Sequence, residues 1–108
     1  MNVDNIKILF GKKIKELRKD KNLTQAQLAE TVNVDNKHIS CIENGKNFPS
    51  PDLLERLASS FNIKVKDLFE FDYLKEPENL KNELIVLIQN LPNEQLKLAY
   101  KYIKSFLI

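Results

Sequence analysis

Two residues of this 108-residue chain belong to types that often perform chemistry and lie close together. His38 and Cys41 are the single histidine and the single cysteine, three residues apart. Neither has the base or acid partner that nucleophilic catalysis requires, and two such residues are too few for a four-ligand zinc site. The two glycines of the chain cannot form a glycine-rich phosphate loop. The sequence therefore predicts no enzymatic activity, no metal and no cofactor.

The roles left for these two residues are modest. A single cysteine excludes an internal disulfide. A redox-sensing Cys41 would need an electropositive environment, for which Lys37 is the one neighbouring cation in the sequence. His38 is interpreted as a partly packed or solvated helix residue.

Positive charge is concentrated in the first part of the chain. The formal net charge is only +2, a weak indication of an anionic partner. From Met1 to Lys21, however, seven lysines and arginines face three acidic residues, whereas the stretch from Glu76 onward is balanced, with four lysines and four glutamates. The positive bias therefore belongs to the N-terminal part of the chain.

The sequence has no feature of a secreted or membrane protein. No basic start followed by an apolar stretch occurs at Met1. The longest apolar run, Leu84 to Ile88, is far too short to span a bilayer. A cytoplasmic location is the expectation.

Helical periodicity and capping residues organise the first half of the chain. Helix one ends near Asn22, and Thr24 with Gln27 forms a capping box that begins helix two. Asp35 is the expected N-cap of helix three, and Gly45 is placed to end it in a left-handed conformation. The buried face of helix one is predicted from apolar spacings of three and four, at Ile6, Leu9, Phe10, Ile14 and Leu17.

The second half continues the helical pattern. Ser50 as cap and Pro51 at the first helical position begin a fourth helix, and a fifth, shorter helix is expected from about Val65. Two more amphipathic helices follow Pro77, and Pro92 with Asn93 separates them. The predicted organisation is a domain over residues 1–72, a linker over 73–77 and a C-terminal helical hairpin over 78–108.

Two short helices joined by a tight turn, the second polar on its outer face, form the arrangement that places a helix in the DNA major groove. The residues that strengthen this interpretation are Leu23-Thr24-Gln25, Leu28-Ala29, Val34, Ile39-Ser40, Ile42-Glu43, Gly45, Pro49-Ser50, Leu53-Leu54 and Leu57-Ala58. Over roughly Ile6 to Phe69 the chain resembles the lambda-repressor-like helix-turn-helix family, also called Cro/CI or XRE.

The resemblance implies a five-helix, all-α DNA-binding domain whose third helix reads bases. Members usually bind pseudo-palindromic operators as dimers and act as repressors or autoregulators in phages, restriction-modification systems and bacterial chromosomes. The base-reading positions fall on Asn36, Lys37 and Cys41, with Ser40 close by. Asparagine can pair with adenine, and lysine can donate to guanine; for Lys37 a phosphate contact is an equal alternative. The small Cys41 can do no more than contact a thymine methyl.

The family also implies contacts with the DNA backbone and one structural ion pair. The backbone-contacting position after the helix-two cap is Gln25, whose amide can donate to a phosphate oxygen. The family's phosphate-binding loop after helix three corresponds here to Asn44, Lys46 and Asn47. Arg18 and Glu43 occupy the positions of a partly buried ion pair between helices one and three.

Asp35 departs from the family, in which a hydroxyl residue is common at this position. A carboxylate there would be repelled by DNA phosphates. Capping of helix three offers a resolution, since the helix terminus partly neutralises the charge. Whether Asp35 weakens binding or selects against particular sites stays open.

The two C-terminal helices are too short to be stable without packing against another surface. Dimerisation is favoured over packing onto the first domain, because a palindrome requires a two-fold arrangement. Capture of the same helices by a regulatory protein, as in an antitoxin or anti-regulator, is the second functional hypothesis. The predicted dimerisation residues are Leu84, Leu87, Ile88, Leu91, Leu96, Tyr100, Ile103, Phe106 and Leu107.

Overall fold

The computed structural model describes residues 3–107, with side chains from Ile6 onward. All regular secondary structure in that range is helical, which confirms the expected all-α fold. The α-helices are α1 (Val3–Asp20), α2 (Gln25–Thr31), α3 (Asn36–Glu43), α4 (Pro51–Ser60), α5 (Pro77–Gln89) and α6 (Asn93–Ser105), and a 3-10 helix spans Val65–Phe69. Contacts divide the chain into two compact units, residues 1–74 and residues 75–108.

The N-terminal unit is built around one apolar core. The expected periodicity of α1 buries Phe10 and Ile14 completely, and α1 and α2 both pack against α3. Full burial of a large apolar side chain stabilises a fold by about 1.5 to 3 kcal/mol. The core residues are Phe10, Ile14, Leu28, Ala29, Val32, Ile39, Ile42, Leu53, Leu57, Ala58, Phe61, Leu68 and Phe71.

Side chains cap the starts of three helices. Thr24 and Gln27 form the capping box of α2, with the Gln27 backbone N–H donating to Thr24 Oγ1 at 3.1 Å and the Thr24 N–H donating to Gln27 Oε1 at 2.9 Å. Asp35 caps α3, and Ser50 caps α4, which has Pro51 at its first position. These caps satisfy backbone donors that the first helical turn leaves unpaired.

Asparagines in the left-handed conformation follow three helices. Asn22, Asn33 and Asn62 have φ values of 58°, 59° and 57°. Asparagine tolerates this region better than most residues. The chain therefore turns sharply after α1, α2 and α4, which gives a short connection between α2 and α3.

The expected fifth helix is a 3-10 helix of five residues, Val65–Phe69. The Asp67 side chain accepts a hydrogen bond from the Lys64 backbone N–H at 3.0 Å, and the Asp67 backbone N–H donates to the Lys64 carbonyl at 3.0 Å. Tighter i to i+3 bonding of this kind occurs in short connecting segments. Leu68 still faces inward and is fully buried, as the pattern predicts.

The division between units falls after Leu74, whereas the sequence suggests a linker over 73–77. Tyr73 is fixed to α1: the Lys13 ammonium group donates to the Tyr73 hydroxyl at 2.6 Å, and that hydroxyl donates to the Glu16 carboxylate. At the other end, Pro77 is already the first residue of α5. The polar composition of this stretch did not reveal that a tyrosine within it has partners 57 and 60 residues away in sequence.

The C-terminal unit consists of α5 and α6, joined by a short turn at Asn90–Pro92. None of the residues in either helix is buried. Its least exposed apolar side chains, still only half-buried, are Leu80, Ile88, Leu91 and Ala99.

Candidate nucleic-acid interface

The exposed face of α3 is set by its cap and its core residues. The carboxylate of Asp35 accepts a hydrogen bond from the His38 backbone N–H at 2.8 Å. Ile39 and Ile42, three residues apart, are fully buried. Because side chains that differ by three or four positions share one face of a helix, Ile39, Ile42 and the buried Glu43 mark the inner side of α3, and its exposed and half-buried residues form the outer face.

Four sequence-predicted base-reading residues lie on that outer face. Asn36 and Lys37, in the first turn, are exposed, whereas Ser40 and Cys41, one turn later, are half-buried. Asn44 continues the same face, with its side-chain amide 3.5 Å from Ser40 Oγ. The first turn of α3 therefore presents an amide and an ammonium group to solvent, groups that can donate to base edges or to phosphates.

Arg18, Glu43 and Gln25 form one hydrogen-bonded network across α1, α2 and α3. Arg18 binds the Glu43 carboxylate with two nitrogens, Nε to Oε2 at 2.7 Å and Nη2 to Oε1 at 3.1 Å. The two side chains are only 10% and 2% exposed. Arg18 Nη1 also donates to the Leu23 carbonyl at 2.7 Å, in the turn before α2. The pair thus connects both helices of the motif to α1.

Gln25 joins this network through its side-chain amide. Its Nε2 donates to Glu43 Oε1 at 3.0 Å, and the residue is half-buried at the first position of α2. An amide nitrogen carries two donors, so one N–H is held by Glu43 and the other stays available. Sequence reasoning places Gln25 at the backbone-contacting position but gives no sign that Glu43 orients it.

The chain folds back over the end of α3 at the predicted phosphate-binding loop. Gly45 has a φ of 76°, a conformation that costs glycine little. The backbone N–H groups of Lys46 and Asn47 donate to the Cys41 carbonyl at 2.9 and 3.3 Å. The side chains of Asn44, Lys46 and Asn47 are all exposed beside the C-terminal end of α3.

A close approach of α1 to α3 fixes the orientation of the α3 helix. A Cβ atom added to Gly11 would lie 2.4 Å from the Ile42 carbonyl oxygen and 2.7 Å from the Glu43 carbonyl oxygen. Only glycine fits such a backbone contact. Sequence analysis missed this role, although a glycine in the middle of an amphipathic helix is a signal of close packing.

The predicted dimerisation residues lie on α5, on α6 and in the turns that follow them. Leu87 is 62% exposed, Tyr100 65%, Phe106 82% and Leu107 78%. Leu84, Leu96 and Ile103 are also exposed, while Ile88 and Leu91 are half-buried. Together these side chains expose a larger apolar surface than isolated apolar residues would. Such a surface is typical of an interaction site.

Within residues 3–107, no three His, Cys, Asp or Glu side chains are grouped so that they could hold a metal ion. None of the helices described is long and apolar enough to cross a bilayer.

Known proteins similar to this chain include transcriptional regulators. The helix-turn-helix family matches residues 14–68. The chain is 40% identical over 68 residues to control protein C.MunI of a Mycoplasma species, an alignment that covers 62% of this chain and 92% of that protein. It is 34% identical over 98 residues to the HTH-type transcriptional activator BcrR of Enterococcus faecalis, covering 91% of this chain and 43% of BcrR. The chain thus spans less than half the length of BcrR.

A solved structure extends the similarity over both units. The complex of SINR protein with SINI protein contains a chain that is 26% identical, with a TM-score of 0.56, covering 89% of this chain and 95% of that one. The family match over the N-terminal unit confirms the resemblance inferred from the motifs. The chain belongs to the lambda-repressor-like helix-turn-helix family (Cro/CI, XRE) of DNA-binding transcriptional regulators.

Proposed function

We propose that this protein binds double-stranded DNA at specific sequences through the outer face of α3. The observation that carries the proposal is the first turn of α3, where Asn36 and Lys37 are exposed beside buried Ile39. In this proposal Asn36 pairs with adenine, Lys37 donates to guanine or to a phosphate, and Ser40 with Cys41 contacts the neighbouring base edge.

Backbone contacts flank this face in the proposal. Gln25 donates its second amide N–H to a phosphate oxygen, and Lys46 with its neighbours Asn44 and Asn47 contacts another phosphate. Such contacts fix the position of the protein on the duplex but carry no sequence information. Support comes from the hydrogen bond that the Gln25 amide donates to Glu43 at 3.0 Å, which constrains the Gln25 side chain.

The active species in the proposal is a homodimer on a pseudo-palindromic operator. The C-terminal unit supplies the dimer contact through apolar residues of α5, α6 and the turns after them, Leu84, Leu87, Ile88, Leu91, Leu96, Tyr100, Ile103, Phe106 and Leu107. Two α3 helices would then meet half-sites about 34 Å apart, one turn of DNA. Repression or autoregulation follows if the operator overlaps a promoter, a role consistent with a relative named as a control protein.

Selection from a random pool of duplex DNA tests the proposal directly. The full chain should enrich a palindrome, and its affinity should fall steeply as salt rises. Asn36→Ala and Lys37→Ala should relax the preference at one or two positions per half-site, each by about 1 to 3 kcal/mol. Lys81→Ala, an exposed lysine of the C-terminal unit, is the matched control and should enrich the same sequence as the unaltered chain.

A second candidate function rests on the exposed apolar surface of α5 and α6. A protein-binding module such as an antitoxin would use that surface for a different protein, and α3 would be secondary. Truncation after Leu74 separates the two functions: a regulator should keep a folded N-terminal unit with weaker operator binding. If the full chain enriches no DNA sequence and co-purifies with one stoichiometric partner, the protein-binding function replaces the DNA-binding one.

A further inference from the structure

The last residues of the N-terminal unit are held against α1 by the side chain of Tyr73. The Tyr73 hydroxyl accepts a hydrogen bond from Lys13 Nζ and donates one to the Glu16 carboxylate. The Lys13 side chain is only 11% exposed, and its Nζ lies 3.9 Å from Glu16 Oε1. Hydrogen bonds to charged partners are about twice as strong as those between neutral groups. Tyr73 is therefore fixed to α1 although the residue is 46% exposed.

Leu74 adds an apolar contact next to this hydrogen-bonded cluster. It is partly buried against the core, and it borders a groove on the surface of α1 that Lys12 and Lys15 also line. The Leu74 backbone N–H donates to the carbonyl of the buried Phe71 at 3.0 Å. The anchored part of the N-terminal unit thus extends three residues beyond Phe71, its last buried residue.

The covalent connection between the two units is short as a result. Pro77 is the first residue of α5, so only Lys75 and Glu76 lie between Leu74 and that helix. We call these two residues the connector. Two residues span at most about 7 Å when fully extended. If Tyr73 and Leu74 left α1, the connection from Phe71 to α5 would contain residues 72–76 and would span up to about 17 Å.

We propose that Tyr73 determines which spacing of operator half-sites this protein accepts, because its contacts with Lys13 and Glu16 keep the connector short. This inference rests on the proposed function, in which two chains join through their C-terminal units and each α3 binds one half-site. Once the first half-site is bound, the second binding event is intramolecular. Its effective concentration then depends on the length and stiffness of the connection. Tyr73 is a positioning residue in this role and acts through the connector.

A short connector and a long one differ in the operators that they allow. A short connector leaves little slack, so that both half-sites can be bound together only within a narrow range of spacings. A longer connector accepts several spacings. A purely stabilising role of Tyr73 would have a different effect, since its loss would weaken DNA binding to the same extent at every spacing.

A series of duplexes with altered half-site spacing tests the inference on the full chain. The half-sites are those enriched from the random pool, and the spacer between them changes in steps of one base pair. Two added base pairs move the half-sites about 7 Å apart and rotate one against the other by about 70°. The unaltered chain should lose about tenfold in affinity for this duplex, because its connector cannot follow.

The double variant Tyr73→Ser, Leu74→Ser should tolerate the longer spacer. Its loss of affinity should be at most about threefold, since each connection gains about 10 Å of reach. An equal loss by the variant and the unaltered chain would overturn the inference, as would an unaltered chain that binds all spacings equally. Far-ultraviolet circular dichroism checks that the variant keeps its helices.

A second variant lengthens the connector without touching Tyr73. Insertion of Gly-Ser-Gly between Lys75 and Glu76 adds flexible residues and should broaden the accepted spacings in the same way. A narrow preference in the insertion variant would show that the spacing is fixed elsewhere and would refute the inference. The matched control is Leu98→Ser, Tyr102→Ser, which alters two exposed residues of α6 outside the proposed dimer contact and should keep the narrow preference.

NMR relaxation examines the anchoring of Tyr73 without DNA. Backbone order parameters of Tyr73 and Leu74 should be close to about 0.85 in the unaltered chain and below about 0.6 in the double variant. Low values in the unaltered chain would overturn the inference. If the random pool yields no palindrome, the proposed function fails and this inference fails with it. A palindrome that is bound equally well at every spacing refutes this inference alone.

Discussion

The side-chain amide of Gln25 lies 3.0 Å from Glu43 Oε1, the same oxygen that accepts a hydrogen bond from Arg18 Nη2 at 3.1 Å. A residue proposed to contact DNA is thereby positioned by an ion pair buried beneath it. Because the Arg18 guanidinium compensates the carboxylate, Glu43 can orient Gln25 with little repulsion of an approaching phosphate. Stability and the proposed DNA contact thus share these three side chains.

Gln25→Ala should weaken DNA binding without changing sequence preference. Loss of one hydrogen bond to a charged phosphate is expected to cost about 1.5 to 3 kcal/mol, equally for specific and non-specific duplexes. Titrations with both kinds of duplex measure this loss. Gln89→Ala, a change in an exposed glutamine of α5, is the matched control. A loss confined to the operator sequence would contradict the phosphate-contact role.

Arg18→Ala should lower the free energy of unfolding by about 3 to 5 kcal/mol, because it leaves the Glu43 carboxylate buried without its partner. A thermal or urea melt measures the loss. The double variant Arg18→Met, Glu43→Leu removes both charges and should lose clearly less. An Arg18→Ala chain that melts like the unaltered chain would refute a stabilising role for the ion pair.

Two substitutions at Asp35 distinguish its role as a helix cap from the effect of its negative charge. Asp35→Ala should cost about 0.5 to 2 kcal/mol of stability, because the His38 backbone N–H loses its acceptor. Asp35→Ser keeps an acceptor and removes the negative charge, so stability should be nearly unchanged while DNA affinity rises severalfold at low salt. Equal DNA affinity of the Asp35→Ser and unaltered chains would show that this carboxylate is not near phosphates.

Gly11→Ala should destabilise the protein, although alanine is favoured in an exposed helix by about 1 kcal/mol. The added Cβ would lie 2.4 Å from the Ile42 carbonyl oxygen, and relieving such a clash costs about 1 to 3 kcal/mol. Urea unfolding gives the sign of the change. Lys12→Ala, at the neighbouring exposed position, should change stability little. A more stable Gly11→Ala chain would disprove the close approach of α1 and α3.

Deprotonation of Tyr73 should lower the free energy of unfolding in alkaline solution. Burial, and secondarily the hydrogen bond to Glu16, raise the pKa of the Tyr73 hydroxyl above its ordinary value of 10.0, while Lys13 lowers it. The folded state therefore holds this proton more tightly than the unfolded state. Its stabilising contribution is complete below pH 10 and is lost as the pH rises through the folded-state pKa. Absorbance titration of the phenol and unfolding between pH 8 and 11 measure this effect.

Tyr73→Phe is the control for the alkaline titration. It should remove the Tyr73 titration from the absorbance curve and flatten the decline in stability above about pH 10. If the unaltered chain and Tyr73→Phe lose stability in parallel, the decline comes from other groups.

The sequence by itself determined the helices, because periodicity, caps and turn residues act over three or four positions. Thr24, Asp35 and Ser50 cap the helices that their neighbours predict, and Gly45 adopts the expected left-handed conformation. The motif residues also determined the family. The proposed base-reading positions follow from the resemblance to that family, since they depend on the register within α3.

Only the tertiary structure decided which distant groups meet. Gln25 and Glu43 are 18 residues apart in sequence, and Lys13 and Tyr73 are 60 apart. No local pattern encodes such contacts, because they arise when helices dock and bring side chains from separate turns within hydrogen-bond distance. The backbone contact at Gly11 depends in the same way on how α1 and α3 lie against one another.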